Sequence, residues 1–337
     1  MQPEAEAQQT ASAGSGYLVN RAQEAIGPYI GILLMLGALI ILFGVLQGED
    51  FINWDSPKSI LANNAILLIL SVGLTFTLLV AGFDLSIAGV LAVSGILVGK
   101  MLTSGVPTYL AMVIVLVGGV IFGCLVTGFA IAKLDLNFFV VTLGVLLAAR
   151  GVALALTNGE SKSLFEYKSL NTLGTGAVDG WSYLGFIAIG IFIAAVLVMR
   201  YTGFGRMIYA VGGNTEAARL AGINVVWVRI AAYGICAGLA AFAGFLQDGY
   251  QTSANPDTLK GIELTAAAAV LVGGTSFVGG VGTMLGTFLG VAFIGTIKYG
   301  LILASSQINQ YWADVITGGV LVISVGIDRY RRLRKSR

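Results

Sequence analysis

Few residues of this chain could make or break bonds, and they lie far apart. Histidine is absent, and Cys124 and Cys236 both sit inside apolar runs. No zinc site, thiol chemistry or disulfide framework is indicated, and each cysteine reads as a small buried hydrophobe. Asp84, Asp248, Glu263 and Asp314 lie near hydrophobic runs but are scattered along the chain. An ion-driven carrier should instead show a paired or relayed set of intramembrane carboxylates. The pattern GxxxxGK[ST] has no match, so the phosphate-cradling loop of a P-loop ATPase is missing.

Two polar stretches carry more information. The first, YTGFGRMIYAVGGNTEAARLAGINVVWVR over Tyr201 to Arg229, is the longest polar interruption between two strongly apolar halves, with Arg200, Arg206, Arg219 and Arg229 in it or at its edges. Short basic loops are retained in the cytoplasm. Asn214 or Thr215 can cap a short helix over Glu216 to Ala221, with Glu216 in the first turn and Gly222 at the stop. Such a helix is either a connector or a knob for a soluble partner, and position alone leaves both open. The second stretch is AGFDLSIAGVLAVSG, Ala81 to Gly95. A helix is expected to restart at Asp84, and the apolar part, Leu85 to Gly99, is short for a full crossing. Asp84 is either an interfacial cap or part of a broken helix of the kind that borders a transporter's substrate path.

The elements that must hold these residues are set by composition. Apolar residues make up 57% of the chain and charged residues 11%, with 47 glycines and 5 prolines, far from the roughly 25% charge of a soluble domain. The chain reads as an all-α polytopic membrane protein. A net charge of +2 gives no reason to expect nucleic acid. Residues 1–24 are polar and read as a disordered cytoplasmic tail. A single transmembrane domain follows over 25–328, in which runs such as Ala25 to Gly48 are long enough for a hydrocarbon core needing roughly 20 helical residues. Later spans are Ser59 to Phe83, one within Met101 to Ala132, Leu136 to Thr157, Trp181 to Met199, and Ile230 to Gln247. Asn158 to Gly180 (158–180) is a mixed-charge outer loop, 200–229 a cytoplasmic loop, and 329–337 a basic cytoplasmic tail. Ile262 to Ile297 is too long for one helix; Gly273, Gly274, Gly279, Gly280 and Gly282 divide it into a span entering at Glu263 and another from Thr283.

About ten transmembrane helices, including broken or short ones, and two cytoplasmic termini are expected. Twelve lysines and arginines then fall on the inner side against five outside, the asymmetry that orients membrane proteins. An internal pseudo-repeat is also expected, since Gly82, Gly89 and Gly95 recur, with one gap, as Gly274, Gly280 and Gly286. Arg150 inside a span is costly unless it pairs or meets water, so a structural partner in the bundle interior is the favoured reading.

AGFDLSIAGVLAVSG, NFFVVTLGVLLAARG (Asn137 to Gly151), GRMIYAVGGNTEAARLAGI (Gly205 to Ile223) and ELTAAAAVLVGGTSFVGGVGT (Glu263 to Thr283) together resemble the ribose-type membrane permeases of bacterial ABC importers, within the branched-chain amino acid/ribose-type permease superfamily. Glu216, Ala217, Ala218 and Gly222 are similar to the Glu-Ala-Ala…Gly core of that family's coupling loop. The resemblance implies that Asn214, Thr215, Glu216, Ala217, Ala218, Arg219 and Gly222 seat in a partner ATPase. The Ile-x-Leu-Pro tail of the full motif is missing, and Asn137, Phe138 and Phe139 stand where the family often has Gln-Pro-Phe.

The resemblance further implies a transport subunit of the bacterial inner membrane that performs no bond chemistry and binds no cofactor. ATP and Mg would sit on the cytoplasmic ATPase partner. The other partners implied are an extracytoplasmic solute-binding protein, a second permease copy or close paralogue, and a monosaccharide cargo. A neutral sugar can be passed along by amides, hydroxyls and aromatic faces, so the expected route is Asn63, Asn64, Thr75, Asp84, Ser86, Phe138, Thr142 and Arg150. The alternatives are an ABC permease for a nucleoside, a furanone-type signal or a sugar alcohol, and, further off, an ion-coupled carrier.

Overall fold

The computed structural model describes residues 27–304 and 312–335. The tail expected over 1–24, Gln307, Asn309 and the last two residues of the basic tail lie outside the described residues. Among the described residues thirteen helices with α-helical turns follow in order: α1 Ile30–Gln47, α2 Asp55–Leu79, α3 Ile87–Thr103, α4 Thr108–Ala132, α5 Phe138–Thr157, α6 Lys168–Thr175, α7 Tyr183–Tyr201, α8 Gly203–Gly213, α9 Thr215–Leu220, α10 Val225–Gln251, α11 Ile262–Val272, α12 Met284–Leu303 and α13 Trp312–Lys335. Among the described residues seven are long and apolar enough to cross a membrane, and three apolar stretches are shorter: Ile87–Thr103, Ile262–Val272 and Val315–Ser324.

Side-chain caps set many of the starts. Asn137 accepts from the Phe139 and Val140 N–H groups, Thr202 from Gly205, Asn224 from Trp227 and Thr283 from Gly286. Each satisfies a donor that the first helical turn leaves unpaired. Asn137 thus starts α5 without the proline that the resemblance led us to look for. Helices α2 and α10 form the centre, with α10 packed between α2, α3 and α4. Helix α2 is buried from Asn64 to Leu79. Helix α4 contains a π-helical turn at Gly123–Gly128, where a Cβ on Gly123 would lie 2.6 Å from the Tyr233 carbonyl of α10. The wide turn and the bare glycine together let the two backbones meet.

Several boundaries differ from the sequence expectation. The helix after the first break begins at Ile87, not Asp84, because Asp84 ties itself to Ser86 in a turn instead of capping a helix directly. Helix α11 is 11 residues long, about 16 Å at the α-helical rise, which is shorter than the span expected from Glu263. Helix α10 starts at Val225, not near Ile230. The region 200–229 holds the additional helix α8. The stretch 158–180 is structured as well: β1 (Lys162–Ser163) pairs antiparallel with β4 (Ser253–Ala254), α6 packs on α10, and β2 (Ala177–Val178) pairs with β3 (Trp181–Ser182). The glycine triplets do not match element for element, since Gly89 lies within α3 whereas Gly280 lies in a turn at φ +71°.

Candidate functional site

Helix α9 projects from the end of the bundle at which α8 and α10 meet. Asn214 caps it by accepting from the Ala217 N–H at 3.0 Å. Gly222, at φ +82°, ends it in a conformation that glycine adopts without strain. Ala218 is the inward anchor at 4% exposure. Thr215 donates to the Val211 carbonyl at 3.0 Å and receives Arg229 Nη2 at 3.3 Å, fixing α9 to α8 and α10. Glu216 and Arg219 pair at 3.2 Å on the open side, and Leu220 beside them is 89% exposed. Glu216, Arg219 and Leu220 thus share the open side of this capped helix.

Immediately below, the two interruptions of the bundle touch. Residues 80–86 separate α2 from α3, and 273–283 separate α11 from α12. The Gly280 N–H donates to the Leu79 carbonyl at 3.0 Å. A Cβ on Gly279 would come within 2.7 Å of the Ala81 nitrogen, and one on Gly280 within 2.6 Å of Gly213 Cα. A Cβ on Gly212 would lie 1.7 Å from the Leu79 carbonyl oxygen and 2.5 Å from the Gly280 nitrogen. Helix α8 therefore meets both breaks through backbone, a fit that only bare glycine allows. Tyr209 of α8 adds a side-chain tie, donating to the Gly282 carbonyl at 2.9 Å. Burial raises the Tyr209 hydroxyl above the usual tyrosine range, with nearby Tyr29 adding to the effect, so it stays protonated as a donor.

Only some of the route residues gather here. Asp84 and Ser86 are fully buried in the first break, and Asp84 Oδ1 accepts from both the N–H and the hydroxyl of Ser86. The other oxygen, Oδ2, has no N–H or O–H donor among the described residues, with the Cys236 thiol beside the carboxylate. Phe138, at the start of α5, packs near Phe277 of the second break, at 6.4 Å between centroids. It also lines a cavity of about 210 Å³ with Ala81, Gly82, Asn137, Arg229 and Tyr233. Thr142, one turn on, is buried and donates to the Phe138 carbonyl at 2.8 Å.

The remaining route residues lie elsewhere. Thr75 joins α2 to α12 through the Thr287 hydroxyl at 2.7 Å. Asn64 donates to Ile60 at 2.8 Å against Gly295, on an apolar groove of about 690 Å³. Asn63 is exposed and accepts from the Tyr250 hydroxyl at 3.1 Å. The structural partner expected for Arg150 is not found: neither Nη1 nor Nη2 has a hydrogen-bond partner among the described residues, although both are buried. The reason is compositional, since α3, which packs on α5, carries no carboxylate.

Tyr209, Gly212, Phe277 and Leu220 complete the site and were not foreseen. The glycine-rich tract announced a turn but not which backbone it would meet. Leu220, three residues after Ala217, was visible only as part of the short helix.

The family model described as "Branched-chain amino acid transport system / permease component" matches residues 56–325. The ribose import permease protein RbsC of Haemophilus influenzae is 33% identical over 308 residues, covering 88% of this chain and 93% of that protein. The D-allose transport system permease protein AlsC of Escherichia coli is 33% identical, covering 89% of this chain and 91% of its own length. The L-arabinose ABC transporter permease protein AraH of Azospirillum brasilense is 31% identical, covering 96% and 91%. No solved structure matches the chain significantly. With four-fifths of the chain matched and seven apolar helices of crossing length, the chain belongs to this permease family and is a multi-pass protein of the inner membrane.

Proposed function

We propose that this chain is the membrane-spanning subunit of an ATP-driven importer that moves a monosaccharide delivered by an extracytoplasmic binding protein. The observation that carries the reading is the exposed, capped helix Thr215–Leu220, in a chain of this family, fastened by α8 to both interruptions of the bundle. The sugar permeases among its relatives support the cargo class. The imbalance of lysine and arginine supports a layout of about ten crossings with α9 and both chain ends in the cytoplasm.

In this reading two copies, or this chain and a close paralogue, flank the route. A cytoplasmic ATPase seats against Asn214 to Gly222 and holds the ATP and Mg. ATP stabilises the closed ATPase pair, and that preference is passed to the bundle as a shift between its two arrangements. The permease contributes positioning and a path, with selection left to the binding protein. The test is uptake of D-ribose, D-allose and L-arabinose into vesicles holding the assembled complex. Uptake of at least one should persist when the proton gradient is collapsed and ATP is kept. Uptake that follows the gradient and ignores ATP would overturn the reading.

A further inference from the structure

This inference rests on the importer reading, in which solute leaves toward the end that bears α9. We infer that Phe83, Phe138 and Phe277 form this chain's part of the barrier that closes the solute route at that end. Each ring comes from a different part: Phe83 from the first break, Phe138 from the first turn of α5, and Phe277 from the second break. Phe83 and Phe277 lie 5.4 Å apart between centroids, and Phe138 and Phe277 lie 6.4 Å apart in an edge-on arrangement. Phe83 is buried, while Phe277 is 36% exposed and is followed by Val278 at 59%. The cluster thus has one buried face and one open face. Three rings without a polar atom give a polyhydroxylated solute no hydrogen bond and disfavour water, which is how a hydrophobic constriction holds a pore shut.

The barrier is also tied to the part that would move it. Phe277 sits three residues before Gly280, whose N–H is bonded to the Leu79 carbonyl, and Phe83 follows Leu79 by four residues. Gly212 of α8 touches both of those backbone groups. Backbone contacts cannot be relieved by a change of rotamer, so a shift of α8 displaces the segments carrying Phe83 and Phe277. Phe138 stays anchored by the Asn137 cap. The rings separate only when the surface helices move.

The experiment uses the full complex of permease, ATPase and binding protein in liposomes loaded with radiolabelled D-ribose, D-allose or L-arabinose together with sucrose, without ATP. Phe277→Ala should raise passive release of the imported sugar about tenfold or more, as expected when one ring of a dewetted constriction is lost. Sucrose should stay trapped, because general membrane leakage would release both. Phe277→Leu should restore tightness. Where Phe277→Ala does not assemble, Phe138→Ala is judged by the same release. A variant that transports with ATP and yet is as tight as the wild type without it would overturn the barrier. A wild type that moves none of these sugars with ATP would overturn the importer reading instead, and the barrier with it.

Discussion

Between α2 and α3 the chain is interrupted over 80–86 by buried residues that side chains tie together, whereas between α11 and α12 it is interrupted over 273–283 by glycines shaped by backbone. In the first break Asp84 and Ser86 are fully buried and bonded to each other. Ala81 takes a left-handed φ of 60°, a strained choice for a residue with a Cβ, which persists only where the surroundings impose it. In the second break Gly274, Gly279, Gly280 and Gly282 all have positive φ, and Val278 and Val281 are 59% and 63% exposed. The first interruption is a buried seat, and the second is a partly exposed cover held against Leu79, Ala81, Tyr209, Gly212 and Gly213. Two breaks in one bundle need not do the same work.

The comparison can be broken in graded ways. Gly212→Ala should have the largest effect, because its Cβ would collide with the Leu79 carbonyl, which cannot rotate away. We expect a loss of about 3 kcal/mol, read as thermal unfolding of the detergent-purified protein. Next, Asp84→Ala should cost about 2 kcal/mol by leaving the Ser86 N–H and hydroxyl unpaired in a buried site. Asp84→Asn keeps an acceptor oxygen and should recover much of it. Thr283→Ala at the edge of the second break removes a helix cap and the hydroxyl partner of Tyr29, both part-buried, and should cost about 1 kcal/mol. Equal losses at Asp84 and Thr283 would erase the distinction between seat and cover.

The sequence made some of this plain and hid the rest for physical reasons. The α9 helix was legible because its cap, acidic first turn and stop glycine are local signals, each acting within a few residues. The helical bundle was legible because long, continuously apolar runs lack the alternation of a barrel strand and span lipid as helices. Helix α8 was not, since Gly203, Gly205, Gly212 and Gly213 make it read as loop. Two of those glycines are there for what they touch: Gly205 lies against Met199 and Gly212 against Leu79. The two-residue strands of 158–180 are shorter than any periodicity can reveal. The burial of Arg150 Nη1 and Nη2 without a hydrogen-bond partner among the described residues and the meeting of Gly280 with Leu79 are tertiary facts with no local trace, and the second of them builds the site.

The central claim is that α9 couples the bundle to a separate ATPase, and binding-protein-stimulated ATP hydrolysis by the reconstituted complex tests it most directly. Glu216 is exposed and its pairing with Arg219 lies on the surface, so a change there should leave folding and membrane insertion intact. Glu216→Lys is predicted to abolish stimulation while insertion is unchanged. Stimulation equal to that of the wild type would contradict the account.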